Sequence, residues 1–215
     1  MSGLVVITGG KGGLAKSLAT HLSQTGRTVL CPGRDELDVT DRQAIRQYFE
    51  IHRPELLICN AGCARDALLA KTREEDWDQQ LAVNLNGAAA CAAEASRSML
   101  RARRGHIVFV SSYSALHPPA GQAAYAAAKA GLIGLAKSLA REFGLRGIRV
   151  NTILPGFLDT PMTASLSQAR REQVICDHVL GELNSPDEVA AFLVNLHERL
   201  LHTSGQVFQL DSRVS

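Results

Sequence analysis

Tyr125 and Lys129 stand one helical turn apart in "AAYAAAKAG", with Ser111 and Ser112 upstream at the end of "HIVFVSS". Alanine is the strongest helix former, and positions i and i+4 share a helix face. The stretch therefore presents one phenol and one ammonium on an otherwise smooth surface. A free tyrosine, with a pKa of ~10, is a poor base at neutral pH. An ammonium one turn away favours the phenolate and brings that group toward working range. A serine hydroxyl at the end of a neighbouring strand can hold a substrate oxygen, and small alanines keep the face open. This set suits proton delivery to the alkoxide that forms when hydride reaches a ketone. A Tyr-x-x-x-Lys pair also occurs by accident on solvated helices, so it needs supporting motifs.

One support is "VVITGGKGGLAKSLATHL" (5–22), a glycine-rich turn between a strand and a helix. Glycines let the backbone approach a pyrophosphate, and the helix N-terminus offers free N–H groups with a positive dipole end. Two registers fit: Gly10, Gly12 and Ala15, or Gly9, Gly13 and Ala15. The second strand ends "VLCPGRDELDVTD". A ribose 2′-hydroxyl wants a carboxylate there, whereas a 2′-phosphate wants an arginine. Gly33 takes the carboxylate's place and Arg34 follows it, favouring NADP(H) over NAD(H) by bidentate phosphate pairing. Asp35 and Glu36 are close enough to swing back, and Lys11 adds a second cation.

These residues need a scaffold. Continuous apolar runs over 4–8, 28–31, 55–59, 106–111, 148–154 and 206–210 read as strands buried on both faces of a parallel sheet. Helical patterns fall near 13–25, 41–52, 73–103, 121–144 and 186–200. Asp41 and Ser185 are N-cap candidates, Pro186 suits a first helical position, and "REFGLRG" stops the long helix with glycines. The alternation predicts an α/β, single-domain Rossmann fold over 1–215, a doubly wound parallel sheet with helices on both faces.

Bulk properties exclude other classes. Lys plus Arg exceeds Asp plus Glu by 23 − 21 = 2, too balanced for a nucleic-acid surface. No apolar run approaches the ~18 residues of a membrane span, and the N-terminus has no secretory pattern. A cytoplasmic location follows as an expectation. The five cysteines, at 31, 59, 63, 91 and 176, suit reduced thiols better than a metal site, since Zn wants four convergent ligands. Trp77 and Tyr48 read as packing residues, and His117 as a surface-loop histidine.

The chain resembles the short-chain dehydrogenase/reductases along nearly its whole length. The resemblance rests on "TGGKGGLA" (8–15), "NAG" (60–62), "VNLNG" (83–87), "VSS…YAAAK" (110–129) and "PGFLDT" (155–160), five motifs in order. It implies a Rossmann-fold reductase in which Ser112 holds the substrate and Tyr125 donates the proton. Lys129 lowers the tyrosine pKa and binds ribose, and Asn84 holds a water of the proton relay. For the cofactor it implies Gly9, Lys11, Gly13 and Leu14 at the phosphates, Arg34 at the 2′-phosphate, and Asp38 and Val39 at the adenine. Asn60, Ala61 and Gly62 line the adenosine side, with Pro155, Gly156 and Thr160 at the nicotinamide.

Within the family the chain looks most like the 3-oxoacyl-acyl carrier protein reductases. Arg103 and Arg146 match by position the arginines that dock the acidic carrier protein, although a basic helix end complementing its own dipole explains them equally. Small and apolar faces in 73–103 and 121–144 imply a homodimer or homotetramer. The segment after Thr160 reads as a lid over a modest cleft. Two features depart from the family: almost nothing separates the second strand from a "DVTD" strand, where a helix is usual, and "QLDSRVS" replaces the usual "DGG" ending. The alternative function is a catalytically silent NAD(P)-binding sensor or scaffold.

Overall fold

The computed structural model describes residues 3–160 and 168–214. Six strands, β1 (Leu4–Ile7), β2 (Thr28–Leu30), β3 (Leu56–Cys59), β4 (Gly105–Val110), β5 (Ile148–Leu154) and β6 (Val207–Gln209), form one parallel sheet in the order β2-β1-β3-β4-β5-β6. Register runs Val5 to Leu56 across β1 and β3, and Phe109 to Thr152 across β4 and β5. Both faces are buried, which is why the strand sequences show no polar alternation.

Successive residues serve opposite faces. Val6, Leu57, Cys59, Ile107 and Phe109 pack on one side with α2 (Arg42–Ile51), α4 (Ala88–Ala102) and α5 (Ala123–Phe143). Val5, Ile7, Leu56, Ile58, Val108 and Val110 pack on the other with α1 (Gly13–Gln24) and α7 (Pro186–Glu198). The remaining helices are α3 (Glu74–Leu81) and α6 (Gln168–Cys176).

Local signals set several boundaries. The Asp41 carboxylate accepts from Gln43 N and Ala44 N to start α2, and Ser185 Oγ accepts from Glu188 N to start α7 with Pro186 in its first turn. Gly147, at φ +73°, closes the 3₁₀ turn Gly144–Arg146 that ends α5.

Three segments differ from the sequence reading. The helix expected over 73–103 is α3 and α4 joined by a π turn, Ala82–Gly87. "DVTD" is a turn, not a strand: the Asp38 carboxylate accepts from Thr40 N (2.9 Å) and Thr40 Oγ1 (2.7 Å). That leaves three-residue β2 as the sheet edge, while Leu37 and Val39 still enter the core. Where only a lid was expected, α6 forms with Val174 as its buried contact. The first seven residues of that stretch, 161–167, lie outside the described residues.

Candidate active site

In a parallel sheet all strands end on the same side, so the segments after β1, β3, β4 and β5 converge. Thr8 fixes the first junction. Its buried Oγ1 accepts from Asn60 N and Ala61 N, both at 3.1 Å, and Asn60 Nδ2 donates to Thr8 O (3.1 Å) and Gly9 O (3.4 Å). Gly9 turns at φ +70°, and a Cβ there would lie 2.7 Å from Ala61 Cα, so only glycine fits. Gly9 thus takes the turn and Gly13 opens α1, the positions of the second register. No side chain caps α1 and its first turn carries no acid, so its first N–H groups have no side-chain acceptor.

At the adenine edge, residues expected to meet different parts of a cofactor hold one another. Arg34 Nε donates to Asp38 Oδ2 at 3.0 Å, and Lys11 pairs with Asp35. The Asp38 carboxyl sits below its ordinary pKa, first because Thr40 N–H donates to it, then through the Thr40 hydroxyl and Arg34. Glu36 accepts from Gly33 N (2.9 Å). All these ion pairs are exposed.

The reacting end is more tightly built. Asn84 is fully buried in the π turn, its Nδ2 donating to Cys63 O (2.8 Å) and Gln80 O (2.9 Å) and its Oδ1 accepting from Cys63 N (3.2 Å). π turns open a helix ladder and are frequent at functional positions. A Cβ placed on Gly62 would stand 2.9 Å from Asn84 Oδ1 and 3.5 Å from Lys129 Nζ, which puts these three residues side by side. Ser112 caps the 3₁₀ turn Tyr113–Ala115, its Oγ accepting from Ser114 N at 3.2 Å. Ser111 is structural: its hydroxyl donates to Lys129 O at 2.7 Å.

Lys129 Nζ donates to Val110 O (2.8 Å) and lies 5.7 Å from the Tyr125 ring centre. Burial draws the lysine pKa down to about 8, opposed by the Cys63 and Cys59 thiols. The half-buried Tyr125 departs from the sequence expectation. Burial raises its pKa above 10, the Ser112 hydrogen bond works against that, and Asp66 and Cys63 add to the rise. With its proton aimed at a backbone carbonyl, Lys129 is not among the groups that lower the phenol.

Pro155, Gly156 and Thr160 follow β5, and Asn184 Nδ2 donates to Pro155 O at 3.0 Å. Arg103 and Arg146 lie elsewhere. They precede β4 and β5, with an Arg103 Nη2 donating to Leu145 O at 3.2 Å, so they sit together at the opposite end of the sheet. The six residues of β4 span about 20 Å at ~3.3 Å per residue, which separates them from Ser112. A cavity of about 690 Å³ occupies that same far end, lined by Arg27, Glu55, Arg104, Arg149, His197 and His202 among others. Sequence reasoning passed over Thr8, Cys63 and Gln80. A threonine directly before the glycine turn was the one available signal.

Among the described residues, no helix is long and apolar enough to cross a membrane, and no group of three or more His, Cys, Asp or Glu could hold a metal. All five cysteines are free thiols.

A family model described as enoyl-(acyl carrier protein) reductase matches residues 4–212. The chain is 36% identical over 233 residues to a 3-oxoacyl-acyl-carrier-protein reductase of Thermotoga maritima, covering 96% of this chain and 95% of that protein. It is 32% identical to the Escherichia coli K12 protein of that name, covering 96% and 98%. A solved structure from Burkholderia thailandensis, titled an oxidoreductase of the short chain dehydrogenase/reductase family, superposes with a TM-score of 0.91 at 29% identity. The match covers 99% of this chain and 92% of that one. With the fold and nearly the whole length matched in this way, the chain belongs to the short-chain dehydrogenase/reductase family and is an oxidoreductase.

Proposed function

We propose that this oxidoreductase uses NADPH to reduce the ketone of a 3-oxoacyl thioester on acyl carrier protein, in the cytoplasm, as a homodimer or homotetramer. The observation that carries the reading is the convergence of Ser112, Tyr125, Lys129 and Asn84 beside an uncapped helix start. Ser112 and Tyr125 bring two hydroxyls together, an arrangement that suits a carbonyl oxygen and favours ketone over enoyl reduction. The names of the relatives agree.

The residues fit a nicotinamide dinucleotide. The Gly9 turn keeps Cβ atoms away, the start of α1 suits the pyrophosphate, and Arg34 suits a 2′-phosphate. Asn60, Ala61, Gly62 and Val39 line the adenosine side, and Pro155, Gly156 and Thr160 the nicotinamide side. When bound, the nicotinamide supplies the hydride.

The chain's own residues do the rest. Ser112 Oγ holds the substrate oxygen, and Tyr125 gives its proton to that oxygen as negative charge develops. Burial keeps the phenol protonated and ready to donate. In the free chain Lys129 does not lower the phenol; with substrate bound, its ammonium, beside Gly62 and Asn84, is assigned to the phenolate left behind and to the ribose. Asn84 has both amide protons committed, so its Oδ1 holds the relay water through its remaining lone pair.

Arg103 and Arg146 cannot serve the site of their own chain from the far end of the sheet. A carrier protein docked on them serves a second copy's site, which ties carrier recognition to oligomerisation. Oxidation of NADPH and NADH, each with acetoacetyl carrier protein and with a small acetoacetyl thioester, tests the reading. NADPH and the carrier-bound substrate are expected to be preferred.

One observation favours the silent sensor or scaffold: both cations of the adenine edge already hold carboxylates. Under that reading neither cofactor is oxidised with any ketone.

A further inference from the structure

The C-terminal tail, whose sequence departs from the family pattern, ties together three segments around the reacting end. The Asp211 carboxylate is fully buried, accepting from Arg213 Nε (2.8 Å) and a second nitrogen of the same guanidinium, and from Gln209 Nε2 (3.0 Å). It packs against Gly156, where φ is +83° and a Cβ would lie 2.5 Å from Asp211 Cβ. The tail also bridges to the end of α6: His178 pairs with Arg213, and Val179 N donates to Ser212 O at 3.1 Å. The Arg213 guanidinium, carried by this frame, stacks over the Tyr113 ring with its carbon 3.6 Å from the ring centre. Tyr113 is bonded to Ser112 and begins the turn that Ser112 caps.

We infer that Arg213 is a positioning residue: locked by Asp211 and stacked on Tyr113, it fixes the turn that aims the Ser112 hydroxyl at the substrate. The inference rests on the reductase reading for the role of Ser112. A planar guanidinium can form a forked pair with a carboxylate and lie flat on a ring at once, which an ammonium cannot. The side chain of Arg213 is nearly covered, 12% exposed, so the stack is poorly screened. The turn is also held by its own backbone bonds, by Ser114 Oγ donating to Gln122 Oε1 at 2.8 Å, and by His117 stacked on Tyr113, but Arg213 is its link to the C-terminal tail. Small displacements of a group that holds the reacting atom lower turnover more than they weaken binding.

The test compares wild type, Arg213→Ala, Tyr113→Ala and the double variant, with NADPH and an acetoacetyl thioester. Both single variants are expected to lose about tenfold or more in kcat, with KM and NADPH affinity within about twofold of wild type. The double variant is expected to be no worse than either single one, and Tyr113→Phe, which keeps the ring, to recover most of the turnover that Tyr113→Ala loses. Hydrogen exchange over 112–117, measured with NADPH present, is expected to quicken in Arg213→Ala. Additive losses in kcat, a loss confined to KM, or unchanged exchange over 112–117 would overturn the inference. If the wild type turns over no ketone the reductase reading falls, and the exchange measurement still decides whether Arg213 fixes the turn.

Discussion

Lys129 donates to the carbonyl of Val110 across 2.8 Å from a buried position, so the chain holds an ammonium inside the protein beside its reactive phenol. The pKa of that lysine falls from 10.5 to about 8, chiefly through burial. Between those values the unfolded chain keeps a proton that the folded one has lost. Stability therefore rises with pH from about 8 to 10.5, by about 3 kcal/mol over the window. Lys129→Met removes the buried charge and also one hydrogen bond. At pH 7 it is expected to gain about 2 kcal/mol, roughly 5 °C in Tm, while losing turnover. Thermal melts across that pH range check the sign.

On the proposed reading, the same lysine bears on the pH–activity profile. If the ammonium supports the phenolate, kcat falls as pH climbs past about 8. A kcat that keeps rising to pH 9.5 or so would show that the neutral amine suffices.

Acid acts on the far end of the sheet. Gln206 N donates to Asn151 Oδ1 (3.1 Å), which turns Asn151 Nδ2 toward Thr203 O (2.9 Å) and His106 Nε2 (3.1 Å). His106 must then carry its proton on Nδ1 and donate it to His197 Nδ1 at 3.2 Å. Both rings are neutral in this arrangement. Burial, then Arg27, Arg149 and Arg104, draw the His197 pKa from 6.5 down to about 3, and burial takes His106 well down too. Since the unfolded chain binds these protons first, stability falls as pH drops below about 6.5 and continues to fall toward 3. His197→Gln is expected to give a shallower fall, read as denaturant midpoints between pH 7 and 4.

On the proposed reading, Arg34 is the residue that separates NADPH from NADH. Its pair with Asp38 is exposed and contributes on the order of 0.5 kcal/mol, so a phosphate displaces it readily. Arg34→Ala is expected to weaken NADPH by about tenfold and NADH by less than twofold, measured by cofactor fluorescence.

Gly9→Ala tests the turn beneath the cofactor. The added methyl meets Ala61 in a left-handed backbone, so a loss of about 2 kcal/mol is expected along with most cofactor affinity. Urea unfolding with and without NADPH separates the two effects.

Much of this was legible in the chain because the determinants are local. Asp41, Ser185 and Pro186 carry their own capping chemistry, and the strands announce themselves as unbroken apolar runs. The π turn at Ala82–Gly87 was hidden, since one residue added to a helical ladder leaves the apolar rhythm of "LAVNLNGAAACAA" nearly intact. Helix α6 was hidden because its sequence is polar and it buries little beyond Val174. The stack of Arg213 on Tyr113 joins residues a hundred positions apart, beyond any local pattern. Arg103 and Arg146 teach a different lesson. They precede parallel strands whereas Ser112 follows one, and that order alone puts them at opposite ends.

Tyr125→Phe tests the central claim most directly. Turnover of an acetoacetyl thioester with NADPH is compared with the wild type, and NADPH binding is followed by fluorescence in both. Turnover is expected to fall by at least about a thousandfold with cofactor affinity unchanged, because the ring stays and only the proton donor goes. A variant that reduces the thioester at the wild-type rate would contradict the assignment of Tyr125 as the donor, and with it the reading of the site.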